Sequence, residues 1–246
     1  MHRFFLPHGP RLAMCLLVSA VPASGVWNQS FAEVPGRPVV VELFTSQGCS
    51  SCPPADAILG ELASKTNVIA LGFHVDYWDG IGWRDRYSMP QATERQRRYV
   101  EKLKLSSAFT PQMVIDGRHS VVGSDRERIA AAIGEASGGV PLEATVAQDH
   151  LLITLPTSEK RGHYDVTIVA YLPQATTRVG SGENSGKTLM EFNVVRQIRQ
   201  VGTWDGKAST FHVPLNSFPI DATRVAVFIQ ETNEGPIAGA VAVGLR

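Results

Sequence analysis

Along the first half of the chain, segments with the hydrophobic pattern of a strand alternate with segments that have the pattern of a helix. Residues 39–44 form an apolar run rich in β-branched side chains, which is typical of a buried strand. After Cys52, apolar residues recur at three- and four-residue spacing, and the two prolines that precede them fit the first turn of a helix. The same reasoning predicts strands at 68–75, 112–115 and 119–122, and helices at 89–103 and from Asp125 onward. The predicted order is β-α-β-α-β-β-α.

A glycine-rich turn at residues 138–141 ends this pattern. Beyond it the chain alternates or is β-branched, which predicts strands at 142–147, 151–155, 164–172, 190–202, 208–214 and 223–230. We therefore expect residues 36–138 to form an α/β domain and residues 140–246 to form a small all-β domain of the sandwich type. The glycine-rich stretch 180–186 is predicted to be a hairpin loop, because it lacks the flanking elements and the lysine of a phosphate-binding loop.

Residues 1–32 have the layout of an export signal. A basic start is followed by an apolar run at 12–21 and then by small residues. This run is too short for a membrane-spanning helix, which needs about 20 residues. We expect a signal peptide that is removed, leaving a bacterial protein that is periplasmic or secreted and has no membrane anchor.

Composition narrows the classes of partner. The chain has 246 residues, of which 43% are hydrophobic and 19% charged, as in an ordinary globular protein. Lys plus Arg and Asp plus Glu both number 23, so the net charge is zero. A chain with no overall field does not attract nucleic acid or anionic lipid, and we expect neither as a partner.

The cysteines carry the candidate chemistry. Cys15 falls within the predicted signal peptide, so the mature chain keeps Cys49 and Cys52. A disulfide across two residues closes a very short loop and adds little stability, which favours a chemical role for the pair. At a helix start the thiol pKa falls from about 8.5 to a value as low as roughly 3.5 to 7.5. Cys49 is predicted to be the attacking thiol and Cys52 the resolving one.

This order of elements, with a strand running into Cys-x-x-Cys at a helix start, resembles the thioredoxin superfamily. Thr110 and Pro111 stand just before a predicted strand. The resemblance implies that Pro111 is cis and that both residues position a substrate chain beside the cysteines; cis peptide bonds are almost confined to proline. It also implies that Glu42, on the first strand, is a buried proton relay for the resolving cysteine.

Four segments are similar to a secreted thioredoxin-like family known as domain of unknown function 1223. They are residues 42–56, 75–79, 95–99 and 182–186, and the likeness spans nearly the whole mature chain. It implies a thioredoxin-like α/β domain followed by a small all-β domain of sandwich type and unknown role.

Three functions follow as hypotheses. The first is a periplasmic thiol–disulfide oxidoreductase that acts on protein or peptide thiols, exchanges electrons with a separate redox partner and needs no cofactor. The second is a periplasmic carrier of copper or another metal ion held by Cys49, Cys52 and His74, two thiolates and an imidazole. The third is a non-enzymatic thioredoxin-like adaptor. Copper binding by the reduced protein discriminates the second from the other two.

Overall fold

The computed structural model describes residues 1–2, 36–136, 138–159 and 162–246. The predicted signal peptide, apart from its first two residues, lies outside this part of the chain. Residues 35–246 form one compact unit. Among the described residues, no helix is both long enough and apolar enough to cross a membrane.

The elements of the first half match those expected from the sequence. In chain order they are β1 (Val39–Thr45), α1 (Pro53–Ala63), β2 (Val68–His74), α2 (Pro90–Lys102), β3 (Gln112–Ile115), β4 (His119–Val122) and α3 (Arg126–Gly134). The second half contains β5 (Glu143–Ala147), β6 (His150–Leu155), β7 (Tyr164–Arg178), β8 (Thr188–Trp204), β9 (Ser209–Pro214), β10 (Arg224–Glu231) and β11 (Ile237–Gly244). The last of these strands was not predicted.

The predicted fold class is nevertheless wrong. Strands from both halves of the chain form one eight-stranded mixed sheet in the order β11-β10-β7-β8-β2-β1-β3-β4, and β5-β6-β9 form a separate three-stranded sheet. The two halves join where β8 runs parallel to β2, with Gly72 opposite Val194. The molecule is therefore not a thioredoxin-like α/β domain followed by a small all-β domain, because most strands of the second half extend the sheet of the first.

Glycines make this junction possible. A Cβ atom on Gly72 would lie only 3.1 Å from the Phe192 carbonyl oxygen, and one on Gly60 of α1 would lie 2.5 Å from the Phe192 ring. The Asn193 side chain also donates a hydrogen bond of 2.8 Å to the carbonyl of Ala70. Because both glycines lack a side chain, β8 packs closely against β2 and α1 at the same point.

The two faces of β1 pack against different helices. Val41 and Leu43 belong to a core cluster that includes Leu59 of α1. Val40 and Phe44 belong to another cluster, which includes Tyr99 of α2. Since side chains alternate along a strand, α1 and α2 cover opposite faces of β1. This division decides which predicted site residues can meet.

Candidate redox site around the Cys49–Cys52 disulfide

Cys49 and Cys52 form a disulfide with a Cα–Cα distance of 5.5 Å. Cys52 is the residue just before α1, and its carbonyl accepts hydrogen bonds from the backbone of Ala55 and Asp56 at 2.8 and 3.1 Å. The pair therefore lies at a helix start, as the sequence pattern predicts. Both cysteines are completely buried, although Ser50 and Ser51 between them are exposed.

The Thr110–Pro111 peptide bond is cis, as expected. Pro111 lies beside the first turn of α1, because a Cβ atom on Gly123 would contact both Ala55 and Pro111, at 3.0 and 3.1 Å. The Thr110 hydroxyl accepts a hydrogen bond of 2.9 Å from the Trp78 indole. The structure thus brings Pro111 to the helix that follows the cysteines.

Residues 46–52, between β1 and α1, form the cysteine loop. The loop that joins β7 and β8, residues 179–187, folds over it, and we call this second loop the hairpin tip. Its buried Asn184 side chain donates hydrogen bonds of 2.9 Å to the carbonyls of both Gln47 and Cys49. The carboxylate of Glu183 accepts one of 3.2 Å from the backbone N–H of Ser50. The stretch predicted to be a hairpin loop is one, and it holds the backbone around the disulfide.

Glu42 points away from the α1 side of the sheet. Its neighbour Leu43 packs against α1, so Glu42 faces α2, where Arg95 donates hydrogen bonds of 2.8 and 3.1 Å to its two carboxylate oxygens. The Tyr99 hydroxyl also donates to it. The carboxylate predicted to be a proton relay is therefore held in an ion pair on the other face of β1 from the helix that carries the cysteines.

His74, at the end of β2, lies in a buried cluster of charged groups. Its Nδ1 is 2.7 Å from Asp85 Oδ2, and its Nε2 is 3.9 Å from Glu191 Oε1. Burial by itself lowers the pKa of His74, but the charge and hydrogen bond of Asp85 and the charge of Glu191 outweigh it and raise the pKa to about 9. His74 is therefore protonated at neutral pH.

Asp56 is a site residue that sequence reasoning missed. It lies one helical turn after Cys52, is almost fully buried, and accepts a hydrogen bond of 2.9 Å from the Thr45 hydroxyl. Burial raises the pKa of Asp56 from its ordinary value of 3.8 to about 7, even though His74 lowers it. The available signal was an acidic residue on the apolar face of the predicted helix, three residues before Leu59.

The cluster also has the donor atoms of a metal site. One ligand atom from each of His74, Asp85 and Glu191 lies within 4.8 Å of the others. Their carboxylate oxygens already accept hydrogen bonds, however: Asp85 from the backbone of Gln47 and Tyr87, and Glu191 from the side chains of Gln47 and Thr177. A protonated His74 neutralises one of the two carboxylates, and these hydrogen bonds satisfy the oxygens of both. The set predicted from sequence is not assembled in the disulfide form, since the two sulfur atoms are bonded to each other.

The fold and the site define a mixed β-sheet protein with a buried Cys-x-x-Cys disulfide at the start of a helix. The chain belongs to the family described as protein of unknown function (DUF1223), whose model matches residues 40–230. This match confirms that part of the prediction from sequence and does not bear on the thioredoxin-like assignment.

Two solved structures are similar. One is the crystal structure of a structural-genomics target protein from Agrobacterium tumefaciens, which is 32% identical, with a TM-score of 0.73, over 85% of this chain and 94% of that one. HBP35 of Porphyromonas gingivalis is 15% identical, with a TM-score of 0.58, over 85% of this chain and 75% of that one, and this likeness concerns the fold alone. The chain matches none of the curated proteins with which it was compared.

Proposed function

We propose that this protein is an exported thiol–disulfide oxidoreductase, periplasmic or secreted, that acts on protein or peptide thiols through Cys49 and Cys52. The observation that carries the proposal is the position of the disulfide, directly before α1 and on the side of the helix start where Pro111 packs. A disulfide across two residues adds little to stability, so its place at a helix start is better explained by reactivity. An exported setting supports such a bond, because disulfides persist in oxidising compartments.

Local groups favour the thiolate form of Cys49. The positive end of the α1 dipole stabilises a negative charge on either cysteine, and Cys52 is the nearer of the two to the helix. The Ser51 hydroxyl lies 3.4 Å from Cys49 Sγ and can donate a hydrogen bond to a thiolate there. Both effects lower the pKa of a cysteine and make it a better nucleophile or leaving group at neutral pH.

The exchange proceeds in two displacements. In the oxidising direction, a partner thiolate attacks Cys49 Sγ, the Cys49–Cys52 bond breaks, and Cys52 leaves as a thiolate that takes up a proton. A second partner thiolate then attacks the partner sulfur in the mixed disulfide and releases Cys49, so two electrons pass from the partner dithiol to the protein. The reverse sequence reduces a partner disulfide, with Cys49 attacking and Cys52 resolving. A separate redox partner restores the starting form.

Asp56 and Pro111 support these steps. Asp56 stands one turn from Cys52 and, with a pKa of about 7, can both accept and donate a proton at neutral pH. We assign it the relay role that the sequence analysis gave to Glu42. Pro111, which lies beside the first turn of α1, and Thr110 are assigned the positioning of the partner chain.

The proposal predicts a trapped intermediate. Reduced Cys52→Ser protein, mixed with a disulfide-bonded peptide pair, should accumulate a covalent adduct through Cys49, because no resolving thiol remains. The adduct is measured as added mass under non-reducing conditions. Reduced Cys49→Ser protein is the matched control and should form the adduct at least about tenfold more slowly, because the Ser51 hydroxyl lies beside Cys49 Sγ and can stabilise a thiolate there. Equal adduct formation by the two variants, or none by either, would contradict the assignment.

The copper carrier is the competing prediction. It requires a neutral His74 imidazole as a ligand, whereas Asp85 and Glu191 raise the pKa of His74 to about 9 and keep it protonated at neutral pH. The buried ion cluster therefore gives this function less support than exchange.

A further inference from the structure

We propose that the hairpin tip occupies a peptide-binding subsite beside the disulfide, and that an extended segment of the substrate binds there when the tip is displaced. The inference deepens the proposed function and rests on it, because the bound chain is the one whose thiol or disulfide reacts at Cys49.

The contacts of the tip have the chemistry of a bound peptide. The cysteine loop offers two carbonyls, of Gln47 and Cys49, and one N–H, of Ser50. Asn184 satisfies both carbonyls through an amide nitrogen, and Glu183 satisfies the N–H through an oxygen. An extended chain presents the same groups, amide N–H donors and a carbonyl acceptor, so it can take over all three hydrogen bonds.

Access to the sulfur atoms requires movement of residues around them, and we assign that movement to the tip, which holds the backbone of Cys49. Both cysteines have zero exposed surface, so a partner thiolate cannot approach Cys49 Sγ with the covering residues in place. The amide of Asn184 is itself fully buried, and its oxygen accepts a hydrogen bond of 2.9 Å from Lys187 within the tip. A substrate that replaces the tip therefore gains the contacts that the tip gives up.

The tip meets the loop that contains Gly82 and Trp83 largely through glycines. Away from Asn184 and Glu183 it packs through small residues: a Cβ atom on Gly82 would lie 3.3 Å from the Gly182 Cα, and one on Gly180 would lie 3.3 Å from the Trp83 ring. Gly182 and Gly186 have positive φ angles of 75° and 79°, which let the loop bend sharply. Besides the contacts of Asn184 and Glu183, the tip is held by Val179 at its base, which is 1% exposed, and by a hydrogen bond of 2.5 Å from the Ser181 hydroxyl to the Gly82 carbonyl.

The test begins with Asn184→Ala, which removes both hydrogen bonds to the cysteine loop. The rate of disulfide reduction by a water-soluble phosphine is followed by alkylation and mass. We expect reduction at least tenfold faster than in the unaltered protein. The matched control is Ser185→Ala, whose hydroxyl contacts only Gly180 within the tip, and it should stay within twofold of the unaltered rate. An unchanged rate for Asn184→Ala would overturn the covering role.

A second variant and a binding probe complete the test. Glu183→Ala alters an exposed residue and should itself raise the reduction rate severalfold, which covers the case in which Asn184→Ala does not fold. Reduced and carboxymethylated α-lactalbumin is an unfolded chain without free thiols, and it should bind Asn184→Ala at least fivefold more tightly than the unaltered protein. Equal affinity would overturn the peptide subsite. The reduction rate and the affinity for the unfolded chain do not measure turnover. Failure of this proposal can therefore be distinguished from failure of the Cys52→Ser trap, which tests the proposed function.

Discussion

Replacing Arg95 with methionine should lower the free energy of unfolding by about 3 to 5 kcal/mol, the range for breaking a buried ion pair. Arg95 is buried between α2 and the sheet, and it donates two hydrogen bonds to Glu42, one to Tyr99 and one to Gln230. The substitution keeps most of the apolar volume but leaves the Glu42 carboxylate buried without a cation. Urea unfolding followed by circular dichroism measures the loss.

Two variants separate the charge effect from a general effect of altering α2. Arg97→Met is the matched control, because its side chain is 66% exposed and lies 3.8 Å from the exposed Glu94 on the same helix. It should cost less than about 1 kcal/mol. Adding Glu42→Gln to Arg95→Met should recover part of the stability by removing the stranded charge. A loss below 1 kcal/mol for Arg95→Met, or no recovery in the double variant, would contradict this account.

Replacing Asp56 with asparagine should stabilise the protein above pH 7 by up to roughly 4 kcal/mol, because its pKa rises from 3.8 to about 7 on folding and each unit is worth about 1.4 kcal/mol. The folded state raises the pKa of Asp56 to about 7, so the buried carboxyl ionises there at a cost that the unfolded chain does not meet. Asparagine keeps an oxygen for the Thr45 hydroxyl and never ionises.

The stability gained by Asp56→Asn should depend on pH in a defined direction. Because the folded pKa lies above the ordinary value of 3.8, the group favours folding at low pH, and this contribution is lost as the pH rises toward 7. The gain from Asp56→Asn should therefore be full above pH 7, shrink below it, and vanish below about pH 4. Asp205→Asn, an exposed carboxylate, should show no gain at high pH. A gain that is the same at pH 5 and pH 8 would show that Asp56 does not ionise in this range.

Local elements could be read from the sequence because each carries its own periodicity. The strand at 39–44 and the helix after Cys52 match β1 and α1, since apolar spacing and helix-start prolines act within a few residues. The sheet order could not be read in this way. The sheet order depends on the pairing of β2 with β8, which are more than a hundred residues apart in the chain. The local sign of this pairing is Gly72, a glycine within a strand, where another backbone can approach closely.

The site was predictable where it follows from local chemistry and not where it depends on packing. The cysteines lie at the helix start because the pattern around them is local. Glu42 and Arg95 show the opposite case: Arg95 lies in a helix rich in charged residues, yet its guanidinium is buried and pairs with Glu42 on β1. Asp56 and Asn184 become site residues only once β8 and its hairpin tip fold over α1 and the cysteine loop.

The reduction potential of the Cys49–Cys52 pair tests the central claim most directly. The protein is equilibrated in glutathione buffers of known potential, and free thiols are counted by mass after alkylation. Exchange chemistry predicts a potential between about −270 and −120 mV, the range of working exchange proteins. A value well below about −300 mV would mark the disulfide as structural and would contradict the proposed function.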